Sequence, residues 1–158
     1  MLIILEGCDA TGKTTLANLL ARTMNGTVIH CTADTPNTIE FFNEIAYASR
    51  NQTIIADRFC YGQFVYQDED SRPMQYSWKR NIQREESDMG DTSWDALWYF
   101  ESRLLEYDVK LIYTYADPRT IADRMVYRGE NPNKIGQILN GYEELWKHTL
   151  IKPIPFKT

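Results

Sequence analysis

Short apolar runs alternate along the chain with segments in which apolar residues recur every three or four positions. The runs are rich in β-branched and aliphatic residues and predict strands at residues 2–5, 27–31, 53–57 and 110–115. The periodic segments predict helices at residues 16–24, 37–50, 60–67, 74–82, 92–105, from 118 onward, and 135–146. Two prolines in residues 151–156 allow at most an edge strand there. This alternation predicts an α/β fold of three layers, a parallel sheet of about five strands with helices on both faces.

Residue types at the ends of these segments define several boundaries. Asn37, with Glu40 three residues later, resembles a capping box and predicts the start of a helix. The Asn-Gly pair at 25–26 is typical of a helix end, and the Asp-Pro pair at 117–118 is typical of a helix start. Residues 85–91 have no apolar periodicity and are predicted to form a loop.

Composition narrows the classes of protein to which the chain can belong. Its 158 residues can bury a substantial core, so we expect a single domain over residues 1–158. The net charge of −5 argues against general nucleic-acid binding, and no apolar run approaches the ~20 residues that span a bilayer. The three cysteines lack metal-ligand spacing, which indicates reduced thiols. We therefore expect a cytoplasmic protein that binds neither membranes nor nucleic acids in general.

The candidate chemistry begins directly after the first predicted strand. Residues 7–15 read Gly-Cys-Asp-Ala-Thr-Gly-Lys-Thr-Thr, the P-loop pattern in the strand–loop–helix context that it requires. The two glycines let backbone N–H groups face a phosphate chain, and the following helix N-terminus adds to their field. The residues expected to bind ATP are Gly7, Ala10, Thr11, Gly12, Lys13, Thr14 and Thr15. Lys13 is expected to reach the β- and γ-phosphates and the Thr14 hydroxyl to bind Mg²⁺, so ATP and Mg²⁺ are the expected cofactors.

A carboxylate and a guanidinium end the third predicted strand. In parallel sheets ligands bind at the carboxyl ends of the strands, where both the P-loop and Asp57 fall. Asp57 is expected to hold Mg²⁺ or its bound water, and the alternative is a carboxylate that merely ends a strand. Arg58 suits bidentate capture of a second phosphate, that of an acceptor, and its alternative is an ordinary surface arginine.

Two arginines lie one helical turn apart after the fourth predicted strand. Arg124 and Arg128, at i and i+4, share one helix face. One interpretation makes them lid arginines that close over the transferring phosphoryl group. The other makes them a solvated stripe opposite Ile121 and Met125. A glycine and several polar residues follow, which supports a short lid near 124–134.

Several segments together resemble the thymidylate kinase family. The similar segments are residues 5–15, 57–59, 63–67, 113–118, 124–130 and 141–145. The first resembles the family's opening, in which an acidic residue, here Asp9, stands two places after the first glycine. The second resembles its Asp-Arg-aromatic motif. The others are similar to the helix behind that motif, the fourth strand, the lid and a late helix.

The resemblance implies phosphoryl transfer from ATP, with Mg²⁺, to a deoxynucleoside monophosphate, with dTMP to dTDP as the leading reaction. The catalytic residues that it implies are Lys13, Arg58, Arg124 and Arg128. The implied substrate contacts are Asp9 on the sugar 3′-hydroxyl, Arg58 on the phosphate, Gln63 at the base and Tyr66 beneath the sugar, with Gln67 from the same motif. The implied metal ligands are Thr14 and Asp57. The family is usually dimeric, which implies a homodimer here.

The chain also departs from this family. The family's Arg-Glu-Pro-Gly segment after the second strand is absent, and a much shorter connection leads to the third strand. That connection lacks the helix whose aromatic residue stacks on the base in the family. The alternatives for this contact are Phe41, Phe42, Tyr47 and Arg50. Gly62 replaces the serine usual in the Asp-Arg-aromatic segment. The base is therefore less firmly implied than the transfer of a phosphate.

Two other functions fit the same residues. A kinase for a hydroxyl acceptor, a deoxynucleoside or a modified base in DNA, needs a carboxylate base, and Asp9 or Glu6 could serve. A sensor module would bind ATP and switch a partner without turnover. His30 and His148 are too isolated in sequence to be assigned a role. Cys8 lies in the P-loop near a helix N-terminus, which predicts a partly exposed thiol with a lowered pKa.

Overall fold

Five parallel strands form a sheet in the computed structural model, which describes residues 1–32, 34–36, 38–66 and 93–158. The strands are β1 (Leu2–Glu6), β2 (Thr27–His30), β3 (Ile54–Asp57), β4 (Val109–Tyr115) and β5 (Ile154–Lys157). The helices of the described residues are α1 (Lys13–Met24), α2 (Ile39–Ala48), α3 (Gly62–Val65), α4 (Ser93–Leu104), α5 (Pro118–Tyr127) and α6 (Ile135–His148), with a 3₁₀ turn at Pro132–Lys134. The strand order is β2-β3-β1-β4-β5. This architecture confirms the α/β fold predicted from the sequence.

The central position of β1 explains its unbroken apolar sequence. It pairs with β3 on one side and with β4 on the other. Leu2 and Ile4 belong to the large core cluster, whereas Ile3 and Leu5 pack with Ala17 of α1. A strand that is buried on both faces has no polar alternation, which is why its sequence reads as one apolar run.

The strand order brings the carboxyl ends of β1, β2 and β3 together. Leu5 lies opposite Asp57 in the register of β1 with β3, and His30 lies opposite Asp57 in the register of β2 with β3. The P-loop leaves the end of β1, and Arg58 follows the end of β3. The residues that carry the candidate chemistry therefore converge at one edge of the sheet.

The helices lie where the sequence predicts them, with ends that differ by a few residues. α1 is followed by the C-cap residue Asn25, whose φ of 51° is the left-handed conformation expected there. α2 begins at Ile39, two residues later than predicted, because its N-cap is Thr38. The Thr38 hydroxyl accepts a hydrogen bond from the Phe41 N–H at 3.1 Å. The predictions that fall outside the described residues are the cap at Asn37, the site residue Gln67, the helix at 74–82 and the loop at 85–91.

The tail forms the edge strand that its prolines allow. β5 pairs in parallel with β4, with Ile154 opposite Ile112. All four residues of β5 are exposed, as its place at the edge of the sheet permits. None of the helices that the described residues form has both the length and the apolar character needed to cross a bilayer.

Candidate functional site

The P-loop packs tightly against the end of β4. Gly7 has a φ of +146°, and a Cβ atom at this position would lie 2.2 Å from the carbonyl oxygen of Thr114. Ala10 and Gly12 are left-handed, with φ of 60° and 80°. Alternation between right- and left-handed residues is the geometry in which successive N–H groups face an anion. Close packing therefore demands glycine at position 7, and the loop has the form of a phosphate cradle.

Lys13 is buried at the base of this loop. Its ammonium group donates hydrogen bonds to the carbonyl oxygens of Gly7, at 3.0 Å, and Cys8, at 2.6 Å. Burial, followed by the positive charge of Arg58, lowers the pKa of Lys13 to about 8. A buried cation is stabilised by any anion that joins it, so a phosphate chain is a favourable partner for this group.

Three polar side chains meet at the carboxyl ends of β2 and β3. The Thr14 hydroxyl donates a hydrogen bond to Asp57 Oδ2 at 2.6 Å, and His30 Nδ1 lies 2.9 Å from the same oxygen. Sequence reasoning gives His30 no role, since 27 positions separate it from Asp57. The parallel register of β2 with β3 is what brings the imidazole into the site.

The Thr14 hydroxyl and the Asp57 carboxylate fit a magnesium ion chemically. Both are oxygen ligands, and Mg²⁺ at nucleotide sites is held by one or two protein groups together with phosphates and water. Across the part of the chain that the structure describes, no group of three or more His, Cys, Asp or Glu residues could hold a metal by itself. A metal at Thr14 and Asp57 would therefore depend on the nucleotide for its other ligands.

Arg58 occupies a strained turn and is held by two side chains. Its φ of 71° is left-handed, which costs a residue with a Cβ atom about 1–2 kcal/mol. The guanidinium forms an ion pair with Asp9 and donates a hydrogen bond to the Tyr66 hydroxyl at 3.1 Å. Its central carbon also lies 5.1 Å from the centre of the Tyr66 ring. Three of the residues predicted to bind the acceptor thus form one connected group.

The two carboxylates considered as bases for a hydroxyl acceptor differ in access. Asp9 lines the cavity described below, whereas Glu6 is fully buried. Burial raises the pKa of Glu6, against the opposing effect of the Arg58 charge. The Glu6 carboxylate accepts hydrogen bonds from the Phe59 N–H and the Tyr142 hydroxyl. Of these two carboxylates, Asp9 is therefore the one that a ligand in the cavity would meet.

Arg124 of α5 and Arg128, which directly follows α5, lie beside the P-loop. Arg124 donates hydrogen bonds to the carbonyl oxygen of Ala10 at 3.2 Å and to the Thr158 hydroxyl at 3.0 Å. Arg128, one turn later, lines the cavity. Ile121, on the same helix, is fully buried in the core. Arg124 is thus bonded to the loop, and Arg128, although exposed, borders the cavity.

A cavity of about 310 Å³ joins these groups. Its lining residues are Asp9, Ala10, Gly12, Lys13, Thr14, Thr15, His30, Cys31, Thr32, Asp57, Arg58 and Arg128. Of the predicted site residues that the structure describes, those that do not line it are Gly7, Thr11, Gln63, Tyr66 and Arg124. Thr11 is fully buried, and its hydroxyl oxygen lies 2.8 Å from that of Thr114, so this residue supports the loop from beneath.

The structure overturns the expectation for Cys8. Its side chain is fully buried, and burial raises the pKa of the thiol instead of lowering it. The prediction of a partly exposed thiol with a lowered pKa is therefore wrong. Its error lies in the direction of the side chain, which points into the core beside Ala10, Ile121 and Met125.

The four alternatives for a base contact occupy different parts of the fold. Arg50 lies between the rings of Tyr47 and Tyr107, at 5.1 and 4.9 Å from their centres. This end of α2 is beside the start of β1, because the chain's amino group donates a hydrogen bond to the carbonyl oxygen of Ser49. Tyr47 and Arg50 are thus at the opposite edge of the sheet from the cavity. Of the two phenylalanines, Phe42 is fully buried in the core and Phe41 is partly buried against it.

Comparison with known proteins identifies the fold. No protein-family model matches the sequence, and no curated protein matches it. The structure resembles the YorR protein of Bacillus subtilis, solved with phosphorylated GDP, over 99% of this chain and 85% of that one, with a TM-score of 0.71 and 23% identity. It resembles the deoxyadenosine kinase of M. mycoides, solved with dCMP and dCDP, over 100% and 90%, with a TM-score of 0.56 and 15% identity. It also resembles polyphosphate kinase 2 from Arthrobacter aurescens TC1 over 99% and 60%, with a TM-score of 0.59 and 16% identity. The chain therefore has the fold of P-loop kinases.

Proposed function

We propose that this chain is a kinase that transfers the γ-phosphoryl group of ATP to a deoxynucleoside monophosphate. The observation that carries the proposal is the presence of two cationic groups in one cavity, Lys13 from the P-loop and Arg58 from the end of β3. A P-loop lysine binds the phosphates of the donor nucleotide, and a second cation can bind and neutralise the phosphate of an acceptor. The resemblance to thymidylate kinases makes dTMP the first acceptor to test.

The ligands of two structural neighbours support this class of reaction. The YorR protein was solved with phosphorylated GDP, and the M. mycoides deoxyadenosine kinase with dCMP and dCDP. Both ligand sets are nucleotides that carry phosphate groups, which agrees with a cavity lined by cations at the end of a P-loop strand. They support a nucleotide acceptor and leave the choice of base to experiment.

Catalysis would consist of positioning and charge neutralisation. The phosphate of a nucleoside monophosphate is already ionised near neutral pH, so the reaction needs no general base. Lys13, Arg58 and Arg128 line one cavity, and Arg124 is bonded to the Ala10 carbonyl beside it. Fixed positive groups in such a site stabilise the charge that spreads over the transferring phosphoryl oxygens without having to reorganise.

The remaining predicted contacts have distinct tasks. Thr14 and Asp57 would hold Mg²⁺, which supplies further charge neutralisation when bound. Asp9 would accept a hydrogen bond from the sugar 3′-hydroxyl while its other contact orients Arg58. Tyr66 would lie beneath the sugar and Gln63 near the base. These assignments give each side of the acceptor one protein group.

A panel of acceptors tests the proposal. Purified protein is incubated with Mg²⁺, ATP and each deoxynucleoside monophosphate, ribonucleoside monophosphate or nucleoside in turn, and ADP release is followed. We expect turnover with dTMP or with one other deoxynucleoside monophosphate. Turnover with phosphate-free acceptors only would contradict the proposal. ATP binding without turnover of any acceptor would also contradict it and would favour a sensor module.

An Arg58→Ala variant separates the acceptor from the donor. A hydrogen bond to a charged group contributes about 1.5–3 kcal/mol, so the KM of the acceptor should rise about ten- to hundredfold while ATP affinity changes less than about threefold. Arg119→Ala is the matched control, because Arg119 is an exposed arginine of α5 outside the cavity lining. It should change neither parameter. Equal losses for acceptor and donor in Arg58→Ala would count against the assignment.

A second candidate is a kinase for a hydroxyl acceptor. The observation that favours it is Asp9, a carboxylate that lines the cavity beside Arg58. In this reaction the oxygen of the acceptor hydroxyl would bond to the γ-phosphorus of ATP, and ADP would leave. Asp9 would take the proton of that hydroxyl. Asp9→Asn would then abolish turnover of nucleosides. In a monophosphate kinase the same change should chiefly raise the KM of the acceptor.

A further inference from the structure

A buried carboxylate connects three separate elements next to the P-loop. Glu6 is the last residue of β1 and is fully buried. Its Oε1 accepts hydrogen bonds from the N–H groups of Phe59, at 2.8 Å, and Gly62, at 3.3 Å. Its Oε2 accepts one from the Tyr142 hydroxyl at 3.0 Å. One side chain thus joins the end of β1 to the turn after β3, the start of α3 and the middle of α6.

Two backbone N–H groups of the turn that contains Arg58 donate hydrogen bonds to β1. The Arg58 N–H donates to the carbonyl oxygen of Leu5 at 3.0 Å, and the next N–H, that of Phe59, donates to Glu6. Consecutive residues of β1 therefore fix the peptide groups on both sides of Arg58. Its φ of 71° is disfavoured for any residue with a Cβ atom, so the turn persists only while such contacts hold it.

The bond between Tyr142 and Glu6 connects the P-loop and α6 to the same carboxylate. The Tyr142 hydroxyl is fully buried, and it lies 3.2 Å from the carbonyl oxygen of Gly7 as well as 3.0 Å from Glu6 Oε2. The same Gly7 oxygen accepts a hydrogen bond from Lys13 at 3.0 Å. Glu6 and Tyr142 therefore lie between the cation expected to serve the donor and the turn that carries Arg58.

We propose that Glu6 is a positioning residue for the acceptor. Its carboxylate holds Arg58 in the left-handed conformation from which the guanidinium reaches Asp9 and the cavity. Without that carboxylate the turn relaxes, and Arg58 is no longer fixed opposite the P-loop. The proposal rests on the proposed function, since the acceptor phosphate is what Arg58 would bind. Glu6 itself does not line the cavity and would touch no substrate.

The chain contains a matched control for a merely structural role. Glu101 is also fully buried, and its carboxylate accepts hydrogen bonds from one tyrosine hydroxyl, that of Tyr61 at 2.9 Å, and from two backbone N–H groups. Those groups belong to Leu150, at 2.7 Å, and Ile151, at 3.2 Å, in the connection between α6 and β5. Glu101→Ala and Glu6→Ala thus each remove the acceptor of one tyrosine hydroxyl and two backbone N–H groups, at different places in the fold.

The test compares Glu6→Ala, Glu6→Gln and Glu101→Ala by amide hydrogen exchange and steady-state kinetics. In Glu6→Ala we expect amide exchange at Phe59 and Gly62 to accelerate about tenfold or more. The KM of the best monophosphate acceptor should rise about tenfold, while ATP affinity stays within about threefold of wild type. Glu6→Gln should resemble wild type, because its amide oxygen can still accept from both N–H groups. Glu101→Ala should lower Tm and leave the acceptor KM unchanged.

Three outcomes would overturn the proposal. The first is an acceptor KM in Glu6→Ala that is no higher than in Glu101→Ala. The second is an acceptor KM in Glu6→Gln that is raised as much as in Glu6→Ala. If Glu6→Ala does not fold, Tyr142→Phe removes one of the three donors and keeps the ring. It should raise the acceptor KM about threefold, and an unchanged KM would be the third such outcome. Wild-type protein that turns over no monophosphate would contradict the proposed function. In that case amide exchange at Phe59 in Glu6→Ala would still show whether Glu6 holds the turn.

Discussion

At Gly7 the P-loop and the end of β4 approach each other so closely that a side chain has no room. A Cβ atom there would lie 2.2 Å from the carbonyl oxygen of Thr114 and 2.7 Å from its hydroxyl. Because one of these is a backbone atom, β1 or β4 would have to move. We expect Gly7→Ala to lower the free energy of unfolding by about 1–3 kcal/mol and to abolish ATP binding. Urea unfolding and titration calorimetry with ATP measure the two effects.

Gly136→Ala is the matched control for that substitution. Gly136 lies in α6, and no heavy atom of the described residues outside this helix lies within 4 Å of the place a Cβ would take. Alanine is favoured over glycine in a helix, so we expect this change to raise the free energy of unfolding by about 0.5–1 kcal/mol without affecting ATP binding. A Gly7→Ala protein that matches Gly136→Ala in both measurements would disprove the close packing.

Single residues were predictable from the sequence where a local pattern contains them. Lys13, Asp57 and Arg58 stand in such patterns, and the structure places all three at one cavity. His30 has no local pattern, because its contact with Asp57 arises only when two parallel strands pair. Cys8 fails for a related reason. Spacing along the chain does not reveal whether a loop side chain points toward solvent or into the core.

At the scale of elements, α2 depends on a single polar side chain at its start. The Thr38 hydroxyl accepts a hydrogen bond from the Phe41 N–H, one of the donors that a helix N-terminus leaves unpaired. Thr38→Ala should therefore lower the free energy of unfolding by about 1 kcal/mol. Thr38→Ser keeps the acceptor and should stay close to wild type. Urea unfolding of the three proteins decides the matter, and equal stability of the alanine and serine variants would refute the cap.

The type of each described element was predictable, and the burial of its residues less so. Leu19 and Leu105 follow the helical period of apolar residues, yet they are 60% and 62% exposed. Periodicity identifies residues that share a helix face, but the width of the face that neighbours cover depends on tertiary packing. The lid near 124–134 and a homodimer stay predictions for the same reason, since both concern contacts beyond a single helix.

At the scale of the whole molecule, the site depends on a strand order that chain order does not give. β1 lies between β3 and β4, so the P-loop that follows β1 lies beside the end of β3. Thr14 and Asp57 are therefore hydrogen-bonded although 43 positions separate them. Sequence alternation predicts a parallel sheet, and the rule for such sheets predicts the edge at which ligands bind. Which strands are neighbours, and therefore which side chains meet, follows only from the packing of the complete sheet.

Global stability offers a further test through Glu101, which anchors the connection between α6 and β5. Its carboxylate accepts hydrogen bonds from the Tyr61 hydroxyl and from the N–H groups of Leu150 and Ile151. Burial nevertheless raises the pKa of Glu101 above its ordinary value of 4.5, because removing the charge from water outweighs those bonds. The folded protein therefore retains this proton at pH values where the unfolded chain has released it.

This difference fixes the sign of a pH dependence. Above pH 4.5 the unfolded state binds fewer protons at this position than the folded state, so the contribution of Glu101 to the free energy of unfolding falls as pH rises, until the folded carboxyl has also ionised. Glu101→Gln has no titrating group at this position. The unfolding free energy of Glu101→Gln minus that of wild type should therefore increase from pH 4.5 upward and then level off, while contributions of other groups cancel. Urea unfolding of both proteins between pH 4 and 8 measures it, and a difference that stays flat or decreases would show that the hydrogen bonds outweigh burial.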